Sequence, residues 1–141
     1  MRLPDPPSQI HATCVALGGR GLLILGASGS GKSGLALQLM AYGAELVCDD
    51  RCDLRVIGQK VQASRPDQLP QAIEARGLGL LPAACAGPAQ LIAAVDMDHA
   101  TEARMPEPGT CQIGTVRLPL LVKFSAPHFP AALYHYLKAQ N

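Results

Sequence analysis

The first residues with legible chemistry are Gly26-Ala27-Ser28-Gly29-Ser30-Gly31-Lys32-Ser33, which directly follow the apolar run GLLIL. They fit G-x-x-x-x-G-K-[ST], the Walker A pattern, in full. Each residue type answers a need of polyphosphate binding. The glycines let the backbone curl until successive N–H groups point inward at phosphate oxygens. A helix starting near Lys32 adds its positive N-terminal end. The Lys32 ammonium is a mobile point charge for the outer phosphates, and the Ser33 hydroxyl is a ligand for Mg²⁺. The plainer alternative is a glycine-rich turn with a surface lysine. A strand before the motif and a helix after it argue against that alternative.

Three further clusters narrow the chemistry. Asp49 and Asp50 close an apolar segment that begins just after the loop's helix. In an open α/β sheet, ligands sit at the carboxyl ends of strands. A carboxylate there can hold Mg²⁺ or take a proton from an attacking hydroxyl. Successive strand residues point to opposite faces, so at most one of the two faces the phosphates. His11 opens a segment that reads as a hairpin with residues 21–25, turning at residues 18–20. Paired residue numbers then sum to 37–39, which sets His11 opposite residues 26–28. A histidine there can orient a carboxylate base; an outward-facing polar residue on an edge strand fits equally well. Glu74 and Arg76 stand two apart, share a face in an extended chain, and are followed by Gly77 and Gly79. A carboxylate for a metal and a guanidinium for phosphate suit phosphoryl transfer. A solvated ion pair is the blander reading.

The elements that must position these groups follow from pattern. Residues 10–17, 21–25 and 44–48 read as strands. Residues 33–42 read as a helix, with Leu35, Leu39 and Met40 as its apolar stripe and Gly43 at its C′ position. Residues 51–64 read as a hairpin around Gly58. Residues 65–88 are rich in proline and glycine and read as functional loop with a short helical piece. Residues 90–98 and 116–124 are strands, with Pro119 implying an edge or a bulge. Pro130 opens a final helix. Residues 1–8 read as a flexible leader, because three prolines block regular structure.

Composition excludes several classes. The chain has 141 residues, a one-domain length, so residues 1–141 are expected to form a single domain. At 48% hydrophobic and 16% charged residues, disorder is excluded. A net charge of +1 gives no basic field for nucleic acid, and no apolar run approaches the ~20 residues of a membrane span. Five cysteines without a CxxC pair, and no apolar leader, point to a reduced cytoplasmic setting.

The order IHATCVALGGRGLLILGASGSGKS, GAELVCDD, IEARGLGLL resembles the catalytic domain of HPr kinase/phosphorylase, which phosphorylates a serine of the phosphocarrier protein HPr. The resemblance implies an α/β fold of the P-loop, phosphoenolpyruvate-carboxykinase-like type, with a central mixed β-sheet flanked by helices. It implies a short form lacking the N-terminal domain, dependent on ATP and Mg²⁺ and assembling as a homo-oligomer, a hexamer. By the same resemblance Lys32 binds the transferred phosphate, Ser33 and Glu74 hold Mg²⁺, Asp49 accepts the serine proton and His11 assists it. Asp50 and Arg76 complete the catalytic loop, and Arg104 matches a later catalytic arginine. The family carries acidic residues where Ala27 and Gly34 stand, so this phosphate site is less negative. The family's segment for the reverse reaction retains only Lys123, so the resemblance carries the kinase and not the phosphorylase activity. A non-catalytic nucleotide-binding regulator and a small-molecule P-loop kinase are the competing readings.

Overall fold

In the computed structural model, which describes residues 1–140, two neighbouring strands divide the core between them. They are β2 (Thr13–Leu17) and β3 (Arg20–Leu25). Cys14, Ala16, Leu23 and Leu25 face one apolar cluster, while Val15, Leu22 and Ile24 face a second. Both faces of these strands are therefore buried, as the unbroken apolar runs require. Their pairing, from Thr13↔Ile24 to Leu17↔Arg20, gives residue sums of 37 and lies within the expected register.

The remaining strands in the large sheet are β1 (Ser8–Ile10), β4 (Glu45–Cys48), β5 (Cys52–Ile57), β6 (Lys60–Ser64), β9 (Ala89–Ala100), β10 (Gly109–Ile113) and β11 (Val116–Lys123). Their order is β1-β5-β6-β9-β3-β2-β4, and β10 and β11 join through the outer half of β9. Only β9 with β3 and β9 with β11 run parallel, so the sheet is mixed. Opposite Gly21 and Leu22, β9 carries one extra residue, a bulge that lets Leu91 face the first cluster and Ala93 the second. Helices α1 (Lys32–Tyr42) and α2 (Phe129–Ala139) contact each other and pack into the second cluster. The expected flanking helices thus share one face. Residues of β5, β6, β10 and β11 close the other face.

Local chemistry sets the ends of α1. Gly31 caps its start in a left-handed conformation, φ 99°. At its end Gly43 N–H bonds to Met40 O and Ala44 N–H to Leu39 O, a Schellman pattern.

Several elements differ from the sequence expectation. Residues 10–17 are not one strand: the chain bends at His11, and β1 leaves to pair with β5. The leader is not loose, because Leu3 N–H donates to Gln112 O and Gln112 N–H to Met1 O, laying it beside β10. Residues 72–82 hold no helical piece but the hairpin β7 (Ala72–Ala75) and β8 (Gly79–Pro82). Glycines at positive φ, 96° at Gly77 and 110° at Gly79, make its turn possible. Strand β10 was not legible. It lies outside β11, with the leader's Arg2 bridged to Gln112 on its far side, so Pro119 stands on an inner strand and not on an edge. The β11 ladder to β9 starts at Leu120, so the missing Pro119 N–H costs no bond on that side.

Candidate phosphate-binding and transfer site

The carboxyl end of β3 runs directly into the phosphate loop, and Gly26 is the pivot. Its φ is 150°, and a Cβ there would lie 2.4 Å from Ser30 Oγ. Only glycine fits. Lys32 Nζ donates to Gly26 O at 2.8 Å and Ala27 O at 3.1 Å, so the ammonium folds back over its own loop. Ser30 Oγ is buried and unpartnered. It lies against Gly26 inside the loop and does not line the cavity, and two of the loop's amides are already engaged, Ala27 N–H by Asp98 and Ser30 N–H by Ala27 O.

Asp49 is the hub of the site. Its Oδ1 accepts from Ser33 Oγ at 2.7 Å and Thr13 Oγ1 at 2.8 Å, and its Oδ2 accepts from Glu74 N–H at 3.0 Å. Helix α1, strand β2 and hairpin β7–β8 are thereby tied to one carboxylate at the end of β4. As expected, one member of the pair, Asp50, lines the cavity, though strand parity does not set its direction. Strand β4 ends at Cys48, and Asp50 takes φ 69°, a left-handed conformation that aspartate tolerates better than most residues. Arg51 N–H bonds to Asp49 O at 2.8 Å across this tight turn. Asp50 therefore lines the cavity while Asp49 points at Ser33.

The cavity measures about 240 Å³ and is lined by Ser28, Gly29, Gly31, Lys32, Ser33, Gly34, Asp50, Glu74 and Arg76. Alternation along β7 buries Ile73 and Ala75 and turns Glu74 outward. Arg76 follows on the same side and reaches Gly29: a Cβ there would lie 3.9 Å from its guanidinium.

Two sequence-derived residues stand apart. His11 is exposed at the bend between β1 and β2 and has no hydrogen-bonded partner among the described residues. It stands beside the acids, since Ala12 N–H donates to Asp50 O at 3.1 Å, but the hairpin ladder that would carry it over the loop ends at Thr13. Arg104 lies on the segment between β9 and β10, which packs over β11 and α2. It lines a second, apolar hollow of about 570 Å³ and not the phosphate cavity. A third hollow, about 710 Å³, lies along β1, β5 and β6 and contains none of the sequence-derived site residues.

Sequence reading passed over Thr13, Asp96, Asp98 and His99. Asp98 accepts the Ala27 N–H on both carboxylate oxygens at 3.0 Å. The available signal was an apolar strand ending in Asp-x-Asp beside the loop.

The donor set suits a hard cation. Among the described residues no three His, Cys, Asp or Glu side chains form a ready-made metal cage. Mg²⁺ favours one or two protein oxygens and completes its shell with phosphate oxygens and water, which the Ser33 hydroxyl and the nearby carboxylates accommodate. Beneath the acids lie buried thiols. Hydrogen bonding to Cys52, then burial, pushes the Cys48 thiol well above its ordinary value, and burial does the same to Cys14. These cysteines are packing groups rather than nucleophiles.

A family model described as HPr Serine kinase C-terminal domain matches residues 5–87. The matched span contains every cavity-lining residue and stops before Arg104. A protein from Caldanaerobacter subterraneus named HPr kinase/phosphorylase is 46% identical over 77 residues, which are 54% of this chain and 25% of that protein. One of the same name from Clostridium tetani is 41% identical over 76 residues, 54% of this chain and 25% of that protein. The chain spans about a quarter of the length of these relatives. The solved structure of the Hpr(Ser) kinase/phosphatase from Coxiella burnetii superposes with a TM-score of 0.78 at 22% identity, covering 93% of this chain and 88% of that one. The fold is therefore shared along almost the whole chain. No described helix is long and apolar enough to cross a membrane.

Proposed function

The chain belongs to the HPr serine kinase C-terminal domain family, and from that premise we propose that it transfers the terminal phosphate of ATP to a serine of HPr or a related phosphocarrier. The observation that carries this reading is the 2.7 Å bond from the loop's Ser33 to Asp49, which joins the loop to an acidic pair whose second member, Asp50, lines the same cavity as Ser33. The fold likeness and the matched family span support it.

In this reading the loop amides and Lys32 hold the polyphosphate, and Arg76 stands across the cavity to meet charge on the transferred group. Ser33 and Glu74 would hold Mg²⁺, which supplies charge neutralisation at the phosphates. Asp49 takes the serine proton. Thr13 Oγ1 and the Glu74 N–H keep its carboxylate aimed when the Ser33 hydroxyl turns toward the metal. Asp50 is the second candidate for the base, favoured by its open position on the cavity wall. His11 orients the acidic pair from the rim, and Arg104 acts from the separate 101–108 segment. The protein works in the cytoplasm as a homo-oligomer, a hexamer, and runs in the kinase direction.

The test is incubation of the purified chain with γ-labelled ATP, Mg²⁺ and HPr. Label on a carrier serine is expected, lost in Asp49→Ala with nucleotide binding retained. Tight ATP binding without any label on the carrier would instead favour a nucleotide-binding regulator. Label on a metabolite would favour a small-molecule kinase.

A further inference from the structure

One peptide unit at the start of the phosphate loop is gripped from both sides. Its carbonyl, on Gly26, accepts from the Lys32 ammonium at 2.8 Å. Its N–H, on Ala27, donates to both oxygens of Asp98 at 3.0 Å. Lys32 also donates to Ala27 O at 3.1 Å. Two of the ammonium's three protons are thus engaged by the loop itself. When Lys32 turns fully to a polyphosphate, those bonds are given up. The peptide then hinges on Gly26, whose backbone has no side chain to restrain it.

Asp98 is built to remain in place. It sits at the carboxyl end of β9, the parallel neighbour of β3, where Leu25 pairs with Asp96. The Asp98 N–H donates to Asp96 Oδ1 at 2.9 Å. Asp96 is only 5% exposed, and its other oxygen meets His99 Nδ1 at 2.6 Å. The grip on Ala27 therefore comes from the sheet, not from another mobile loop. A carboxylate accepting a backbone N–H makes one of the stronger kinds of hydrogen bond.

We infer that Asp98 is a positioning residue of the phosphate site: it anchors the Gly26–Ala27 peptide to β9, so that Lys32 can leave the loop carbonyls for the polyphosphate while the loop keeps its shape. This rests on reading residues 26–33 as a nucleotide site. Asp98 is exposed, so replacing it does not threaten the core.

The test uses the full chain with Asp98→Ala and Asp98→Asn. Amide exchange at Ala27, followed by NMR without nucleotide, reads the anchor alone. In Asp98→Ala it should quicken about tenfold or more, and the Kd and KM for MgATP should rise about tenfold. The kcat at saturating ATP should stay within about twofold, the signature of lost binding rather than lost chemistry. Asp98→Asn still presents an acceptor oxygen and should recover slow exchange and most of the affinity. Unchanged exchange and affinity in Asp98→Ala overturns the inference, as does an Asp98→Asn variant as impaired as Asp98→Ala. Slow Ala27 exchange in a wild-type chain that binds no MgATP supports the anchor and sinks the nucleotide reading instead.

Discussion

The phosphate cavity and the apolar hollow beside α2 are held together in opposite ways. In the first, about 240 Å³, short hydrogen bonds tie together residues from distant parts of the chain: Thr13 to Asp49, Asp49 to Glu74, Ala27 to Asp98. In the second, about 570 Å³, Pro106, Leu120, Phe124, Phe129 and Leu133 form walls held by packing, with Arg104 among them. Hydrogen bonds fix direction, whereas apolar contacts fix only proximity. The polar site is thus organised for a geometry-dependent task. The same cluster that lines the apolar hollow also seats the helix pair, so its residues serve stability first.

That contrast can be broken by substitution. Lys32→Ala should have the largest effect, weakening MgATP binding by about a hundredfold or more, as titration calorimetry would show. A chain that binds MgATP normally without the ammonium would remove the polar site's claim to be a phosphate site. Asp49→Ala should come next, with carrier labelling abolished and MgATP affinity largely kept; unchanged labelling would move the base to Asp50. Leu133→Ala, at the buried seam of α2 and the hollow, should cost about 2–5 kcal/mol in urea unfolding. Its MgATP affinity should not move, and a parallel loss of affinity would show the two regions to be coupled. Thr13→Val removes a fully buried hydroxyl that donates to Asp49 and accepts from the Asp50 N–H. It should cost about 1 kcal/mol of stability and reduce labelling severalfold. The mildest test is thiol labelling. Cys14, Cys48, Cys52 and Cys111 are buried, and Cys85 is half exposed. Burial raises the Cys85 thiol, so its reactive thiolate is scarce at neutral pH and grows as pH rises toward the raised value. Native protein should label slowly at this one thiol, faster at alkaline pH, and at all five only in urea.

What the sequence disclosed follows the same division. The phosphate loop, its strand and its helix were legible because their signals lie within consecutive residues. The shared direction of Glu74 and Arg76 followed from a period of two, which survived although the surrounding hairpin was mistaken for loop. Glycines and prolines dominate residues 65–88, and composition alone could not distinguish a glycine turn between strands from irregular chain. The anchor at Asp98 was hidden because it meets Ala27 across 71 residues of sequence. No local pattern encodes such a meeting; it exists only once β9 lies beside β3. Which of the two acids lines the cavity was not legible, because β4 ends at Cys48 and Asp50's own left-handed backbone sets where its side chain points. His11 stands two residues beyond the last pair of that ladder, Thr13 with Ile24, and nothing in residues 8–12 announces that β1 changes partners.

The extra residue in β9 acts on that strand as an inserted letter acts on a reading frame. Up to Leu91 the odd-numbered residues face the first cluster, and from Ala93 onward the odd-numbered residues face the second. Deleting Ile92 itself would leave Ala93 opposite Leu22 and every later residue on its own side, whereas deleting Ala94 from the regular ladder would exchange the two faces along the rest of the strand, and His99 would arrive where Asp98 now meets the loop. A one-residue deletion far from any phosphate would then act at the phosphate loop itself.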